Sequence, residues 1–180
     1  VGYFAEKPCI SADLRSSGGV TVAPESVEAP LEYIKKYANE EGAEVVYAPL
    51  YGELSGSLSF DPLIEIQRLA KECDMIIMFA GNHSFWEIEG EDRESIELPV
   101  HMIRLCEECS RFCKNTVVVT QTGAPYAPFM RAAEPKAIVH MWFGGEGVGS
   151  AIAKVLFGKV NPSGKLPMTF MKKLPKELDI

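Results

Sequence analysis

Met75-Ile76-Ile77-Met78-Phe79-Ala80 is an unbroken apolar run, and shortly after it the chain reads Trp86-Glu87-Ile88-Glu89-Gly90-Glu91-Asp92-Arg93. The run has the length of a strand rather than a helix. With no alternating polar positions, it fits a strand covered on both faces, as in a parallel sheet. Read that way, it delivers four carboxylates and one arginine to the carboxyl end of a buried strand, where open α/β sheets bind their ligands. A carboxylate that transfers protons belongs there, because it meets substrate while its neighbours tune its pKa. The same residues also read as a solvated acidic loop with a Glu–Arg pair at i,i+4 spacing.

Outward from this stretch the elements alternate. Val1 to Phe4 reads as a strand end, and Glu6 to Glu28 as loop with Ser16-Ser17-Gly18-Gly19 at its centre. Pro30 opens a helix whose Leu31, Ile34, Tyr37 and Ala38 share a face. Glu44 to Ala48 reads as a short strand, Tyr51 to Phe60 as a Gly/Ser loop, and Pro62 to Cys73 as a second helix with Leu63, Ile66, Leu69 and Ala70 inward. A continuous apolar strand, Asp74 to Ala80, and the acidic loop follow. Then come a helix over Pro99 to Cys113, a strand over Thr116 to Thr120, a short helix over Pro128 to Ala133, a strand over Lys136 to Phe143 and a helix over Ser150 to Phe157. Asn161-Pro162-Ser163-Gly164 is a turn. The alternation predicts an α/β fold: a three-layer α/β/α sandwich with a mostly parallel sheet, flavodoxin-like in appearance. Neither an internal repeat nor a low-complexity linker divides residues 1–180, so one domain is expected.

Composition narrows the function classes. The chain has 180 residues, 47% hydrophobic and 24% charged, with a net charge of −7, normal proportions for a globular domain. It shows no basic stripe, so nucleic acid is not an expected partner. No apolar run is long enough to span a bilayer, so a membrane is not expected either. Five cysteines leave an odd thiol in any disulfide scheme. Cys106, Cys109 and Cys113 recur at helical spacing and read best as small apolar residues on one helix face. Reduced thiols fit a cytoplasmic location. Val1-Gly2 carries no charged leader and no initiating Met, and the expectation is an excised piece of a longer protein.

The remaining motifs are weaker. The glycines of Gly144-Gly145-Glu146-Gly147-Val148-Gly149 lie between a strand and a helix. Such a loop can cradle a phosphate, but the spacing is neither a dinucleotide fingerprint nor a P-loop, and a tight turn with close helix–strand packing explains it equally. His83 lies on the acidic loop within reach of a ligand; His101 and His140 read as structural. Trp86 and Trp142 stand at or beyond strand ends, where an indole could offer a platform to the apolar face of a sugar ring or simply fill core. No serine has a nucleophile-elbow context.

Several segments together bring a family into view. Glu87-Ile88-Glu89-Gly90-Glu91-Asp92-Arg93 followed by Ile96-Glu97-Leu98-Pro99 resembles the E-x-E-G-x-D-R…L-x-L-P block of the second, α/β sandwich domain of glycoside hydrolase family 3, the family of many β-glucosidases. Gly2-Tyr3-Phe4-Ala5-Glu6-Lys7-Pro8 is similar to that domain's first strand end. Thr122-Gly123-Ala124-Pro125 resembles its strand-end G-x-P. Trp142 to Ser163, with Val155-Leu156-Phe157-Gly158 and Asn161-Pro162-Ser163-Gly164, and then Lys165 to Phe170, resemble its closing stretch. The family's aromatic-Gln-Gly-Gly-Gly run is absent around Ser16 to Val20, and Gly144-Gly145 replaces its Pro-Gly-Gln.

The resemblance implies divided labour. A (β/α)₈ barrel carries the nucleophilic Asp, and this domain lends the general acid/base Glu. The matching position is Glu89, with Glu87 as runner-up. Asp92 and Arg93 are expected to fix the loop, and Trp86 and His83 to touch substrate. The implied substrate is a β-linked glucoside or oligosaccharide, and the implied partner is the barrel of the same enzyme. No metal or organic cofactor is implied. A chain of this length cannot hold both sandwich and barrel, so little or no activity is expected of it alone. A non-catalytic carbohydrate-binding module and a flavodoxin-like ligand binder are the alternatives.

Overall fold

The apolar run at 75–80 forms β1 (Ile76–Gly81), and among the described residues two more strands join it: β2 (Thr116–Gln121) and β3 (Ala137–His140). The computed structural model describes residues 5, 26–50, 61–82, 87, 92–127 and 134–173. The expected strand at Val1 to Phe4, the loop at 51–60, most of the loop at 6–28 and the short helix at Pro128 to Ala133 lie outside the described residues. β2 is central and runs parallel to both neighbours. The register sets Ile76 beside Thr116 and Gly81 beside Gln121, so β1 and β2 end level with one another. Val117 to Thr120 pair with Ala137 to His140.

Among the described residues, four helices flank the sheet: α1 (Pro30–Glu40), α2 (Pro62–Glu72), α3 (Val100–Phe112) and α4 (Val148–Leu156). α1 packs with α4, α2 packs with α3, and α3 lies against β1 and β2. β1 and β2 are buried on both faces almost throughout, which is why their sequences are apolar at consecutive positions. This is the α/β sandwich the sequence predicts, with a parallel sheet. No helix among the described residues is long and apolar enough to cross a membrane.

The helices form where their local signals place them. Asp61 caps α2 by accepting from the Leu63 N–H at 2.9 Å, and Pro62 fills a first-turn position that needs no N–H. α1 buries Leu31, Ile34, Tyr37 and Ala38, the face read from the sequence. The core joins these to Ile66, Leu69, Met78, Phe79, Met102, Val118, Val119 and Ile152. Each large side chain fully withdrawn from water there contributes about 1.5–3 kcal/mol. Cys106 and Cys109 lie fully within this core, with Cys113 at its margin, all three as free thiols. Burial pushes the Cys109 thiol up to about 12 and Cys106 well above its ordinary value, so neither offers a thiolate at neutral pH.

Three expectations need correction. Residues 44–48 form no strand. Val45 and Tyr47 are half-buried and Ala48 and Leu50 buried, with Val46 exposed between them; the segment contributes to the core, and no ladder forms there among the described residues. The strand expected over Lys136 to Phe143 is shorter, because Trp142 takes φ +52°, in the left-handed region where a strand cannot continue. α4 starts at Val148, before Ser150.

The glycine run explains that early start. The backbone of residues 28–29 crosses the first turn of α4 so closely that a Cβ on Gly149 would lie 2.6–2.8 Å from Glu28 O, Glu28 C and Ala29 C. The Glu28 N–H donates to Glu146 O at 2.9 Å. Its carboxylate accepts from the Ser150 N–H at 2.9 Å and from the Tyr33 hydroxyl at 2.7 Å. Those hydrogen bonds, with Ser150 foremost, hold the Glu28 carboxyl below its ordinary range. A side chain far away in sequence thus caps the helix and meets its dipole, and the glycines serve close packing. Gly149→Ala is expected to lower stability by about 1–2 kcal/mol in denaturant titration, the backbone clash outweighing the gain in helix propensity. Gly164→Ala, where an added Cβ meets nothing within 4 Å, is the near-neutral control.

Candidate active-site loop and its anchors

The level ends of β1 and β2 create the site. Asn82 follows β1 directly, is 2% exposed, and donates its backbone N–H to Gln121 O at 3.0 Å. Gly81 permits this approach: a Cβ there would lie 2.1 Å from Gln121 O. β2 runs into Thr122-Gly123-Ala124-Pro125, where Thr122 is buried and its hydroxyl donates to Ala124 O at 2.6 Å. Two strand ends therefore present an amide side chain and a bare backbone N–H side by side.

Glu87 occupies that gap. Its Oε1 accepts from Asn82 Nδ2 at 2.8 Å, and its Oε2 accepts from the Gly123 N–H at 2.5 Å. Arg93 Nη1 stands 3.5 Å from Oε1, forming an ion pair, while Nη2 donates to Pro125 O at 3.1 Å. The Glu87 side chain is only 9% exposed. A carboxyl group so withdrawn from water needs polar partners to offset its desolvation, and this one has three. Gly123 is bare for the same reason: a Cβ would fall 2.8 Å from Glu87 Oε2 and 2.6 Å from the Phe143 ring. Downstream, the Ala127 N–H donates to Ile96 O at 2.7 Å, a further link between the two segments.

The acidic block and the Thr-Gly-Ala-Pro block, distant in sequence, thus meet. Of the expected site residues, Glu87 and Arg93 come together. Asp92 is exposed and makes no ion pair or hydrogen bond among the described residues. Glu89, Trp86 and His83 lie outside the described residues. Asn82 and Gly123 were missed; the available signal was a polar residue directly after an apolar strand and a glycine at the end of the next. Asn82 Oδ1 and Arg93 Nη1 are buried without a hydrogen-bond partner among the described residues.

Along the same sheet edge, His140 Nδ1 lies 3.0 Å from Thr120 Oγ1, itself 2.9 Å from the Tyr126 hydroxyl. The rings of Trp142, Phe170 and Tyr126 surround His140, with centroids at 4.2, 5.1 and 5.7 Å. Its Nε2 is buried with no hydrogen-bond partner among the described residues. Burial pushes the imidazole down to about 4. Trp142 is half-buried and packs edge-to-face with His140 and Phe170.

Comparison with known proteins now bears on this arrangement. Residues 1–179 match the glycosyl hydrolase family 3 C-terminal domain. The chain belongs to that family. It is 33% identical over 175 residues to a thermostable beta-glucosidase B of Acetivibrio thermocellus, covering 97% of this chain and 22% of the relative. It is 42% identical over 118 residues to a putative beta-glucosidase of Schizosaccharomyces pombe, covering 63% of this chain and 14% of the relative. The crystal structure of the Bifidobacterium adolescentis GH3 beta-glucosidase superposes with TM-score 0.78 at 30% identity, over 96% of this chain and 24% of that one. The family 3 domain described here therefore spans under a quarter of the length of each of these relatives.

The His140 environment gives a pH dependence. Its folded value lies below the ordinary 6.5, so as pH falls the unfolded chain takes up the proton first. Stability from this site is complete above about 6.5 and drains away as pH drops toward 4. After discounting for partial exposure, the loss is of order 1 kcal/mol. Thermal melts between pH 7 and 4 should show it, and His140→Gln should flatten that part of the curve.

Proposed function

We propose that this chain is the second domain of a retaining β-glycosidase, β-glucosidase-like, and that it supplies the general acid/base carboxyl of Glu89. The attacking Asp belongs, in this reading, to a (β/α)₈ barrel of the same enzyme, and the substrate is a β-linked glucoside or oligosaccharide. The family match and the β-glucosidase names of the relatives support the reaction class. The observation that carries the choice of residue is the engagement of Glu87. Both of its oxygens accept from strand-end donors, one of them a backbone N–H that can only donate. A carboxyl occupied in that way is poorly suited to hand a proton to substrate, which favours Glu89 within the E-G-x-D-R block.

The chemistry follows from two carboxyl groups about 5–5.5 Å apart. Glu89 gives its proton to the glycosidic oxygen as the barrel carboxylate attacks the anomeric carbon. The C–O bond breaks, the alcohol leaves, and a glycosyl ester remains. The ionised Glu89 then takes a proton from water, whose oxygen attacks the same carbon and releases the sugar with retained configuration. To remain protonated before the first step, Glu89 needs a raised pKa. Docking against the barrel would supply it by desolvation and by repulsion from the ionised nucleophile.

The phosphate-binding alternative finds less support, because the Glu28 carboxylate already occupies the N-terminus of α4.

In the full-length enzyme, Glu89→Gln is expected to lower kcat about 10²–10⁴-fold on a substrate with a poor leaving group. An unchanged rate would sink the assignment. The 180-residue chain alone should leave an aryl β-glucoside intact, since it holds one of the two carboxyl groups; turnover at an enzymatic rate would refute the division between domains.

A further inference from the structure

We propose that Glu87 is a positioning residue of the acid/base loop: by tying the loop to the ends of β1 and β2, it fixes where the proton donor stands relative to the glycosidic oxygen. The inference rests on the reading of Glu89 as that donor.

Three independent features of the fold converge on the tie. The carboxylate bridges two strands, through Asn82 at the end of β1 and the Gly123 N–H at the end of β2. Those strand ends are held level by the parallel register, so the anchor is part of the rigid sheet. The turn after β2 is cut to receive it, since any side chain at residue 123 would collide with Glu87 Oε2. Arg93 forms a second tie to Pro125 O in the same turn, and also faces Glu87. The acid/base position therefore lies in the short span 88–92, bracketed by anchors on both sides.

Chain connectivity turns the anchor into a positional constraint. Residue 89 is two residues from residue 87, so their Cα atoms are at most about 7 Å apart. General acid catalysis needs its proton within hydrogen-bond reach of the leaving oxygen, and a misplacement of about 1 Å can cost about 10²-fold in rate. Releasing Glu87 would leave the donor chemically intact and aimed less well. The loss should therefore appear only where proton donation limits the reaction.

The test is a leaving-group series in the full-length enzyme, comparing methyl and 2,4-dinitrophenyl β-glucosides, the second of which departs without protonation. Glu87→Ala is expected to lower kcat/KM on the methyl glucoside about 10²-fold and on the dinitrophenyl glucoside less than threefold, and azide should not restore either rate. Glu89→Gly serves as the reference, because its vacated carboxyl position should admit azide and give rescued turnover of the dinitrophenyl substrate. Should Glu87→Ala fold poorly, two milder variants carry the test. Glu87→Gln keeps neutral hydrogen bonds, since Asn82 can turn its amide and present the unpartnered Oδ1; it should lose about 3–10-fold on the methyl glucoside. Gly123→Ala displaces the carboxylate from the other side and should show the same leaving-group dependence. Equal losses on both substrates, or no loss at all, would overturn the positioning role and leave the Glu89 reading standing. Azide rescue of Glu87→Ala with none for Glu89→Gly would overturn both.

Discussion

A carboxylate wedged between the ends of two parallel strands organises the functional edge of this domain. Parallel pairing sets Gly81 beside Gln121, so the next residues of both strands arrive together. One contributes the Asn82 amide and the other the Gly123 N–H, and Glu87 closes on both. The Arg93 guanidinium supplies the opposing charge and extends the network to Pro125. Such a cluster is cooperative: with one member gone, the others are left buried and unsatisfied. Glu87 and Arg93 are for this reason tied to the turn that leaves β2.

Beneath that edge the scaffold is rigid for ordinary reasons. β1 and β2 bury both faces, and α3 seals one side with Met102, Leu105, Cys106 and Cys109. The Thr116 hydroxyl, fully buried at the start of β2, lies 2.9 and 2.7 Å from the carbonyls of Cys109 and Cys113 and so fixes the end of α3 to the sheet. Met102 Sδ approaches the Gly81 N–H at 3.3 Å, so the same helix braces β1 where the acidic loop begins. Reactive loops positioned by a well-packed scaffold are the common arrangement for binding and catalysis.

Much of this was legible in the residues. The apolar run at 76–80 announced a doubly covered strand, the 3.6-residue spacing of Leu31, Ile34, Tyr37 and Ala38 announced the inner face of α1, and the block at 87–93 announced a charged cluster beyond the end of β1. What could not be read were relations between distant positions. Nothing in the local sequence pairs Glu87 with Gly123, 36 residues on, or Glu28 with Ser150, 122 residues on. Such contacts depend on register and topology, which only the folded chain fixes. The glycine run was ambiguous for the same reason, because its meaning lies in the backbone of residues 28–29 that crosses it. Residues 44–48 misled in the opposite direction: a short apolar stretch reads as a strand whether or not a neighbour is there to pair with it, and none of the described residues does so. The premature end of β3 comes from the backbone of Trp142, a bulky residue where φ above zero is rare.

The contact between Glu28 and the first turn of α4 has a kinetic consequence. It closes a circuit through most of the described chain, so α1 finds its helical neighbour only after nearly all intervening residues exist. Such long-range closure is entropically late and slows folding. During synthesis, that contact cannot form until the residues around 150 have left the ribosome, so the pairing of α1 with α4 is among the last to be made.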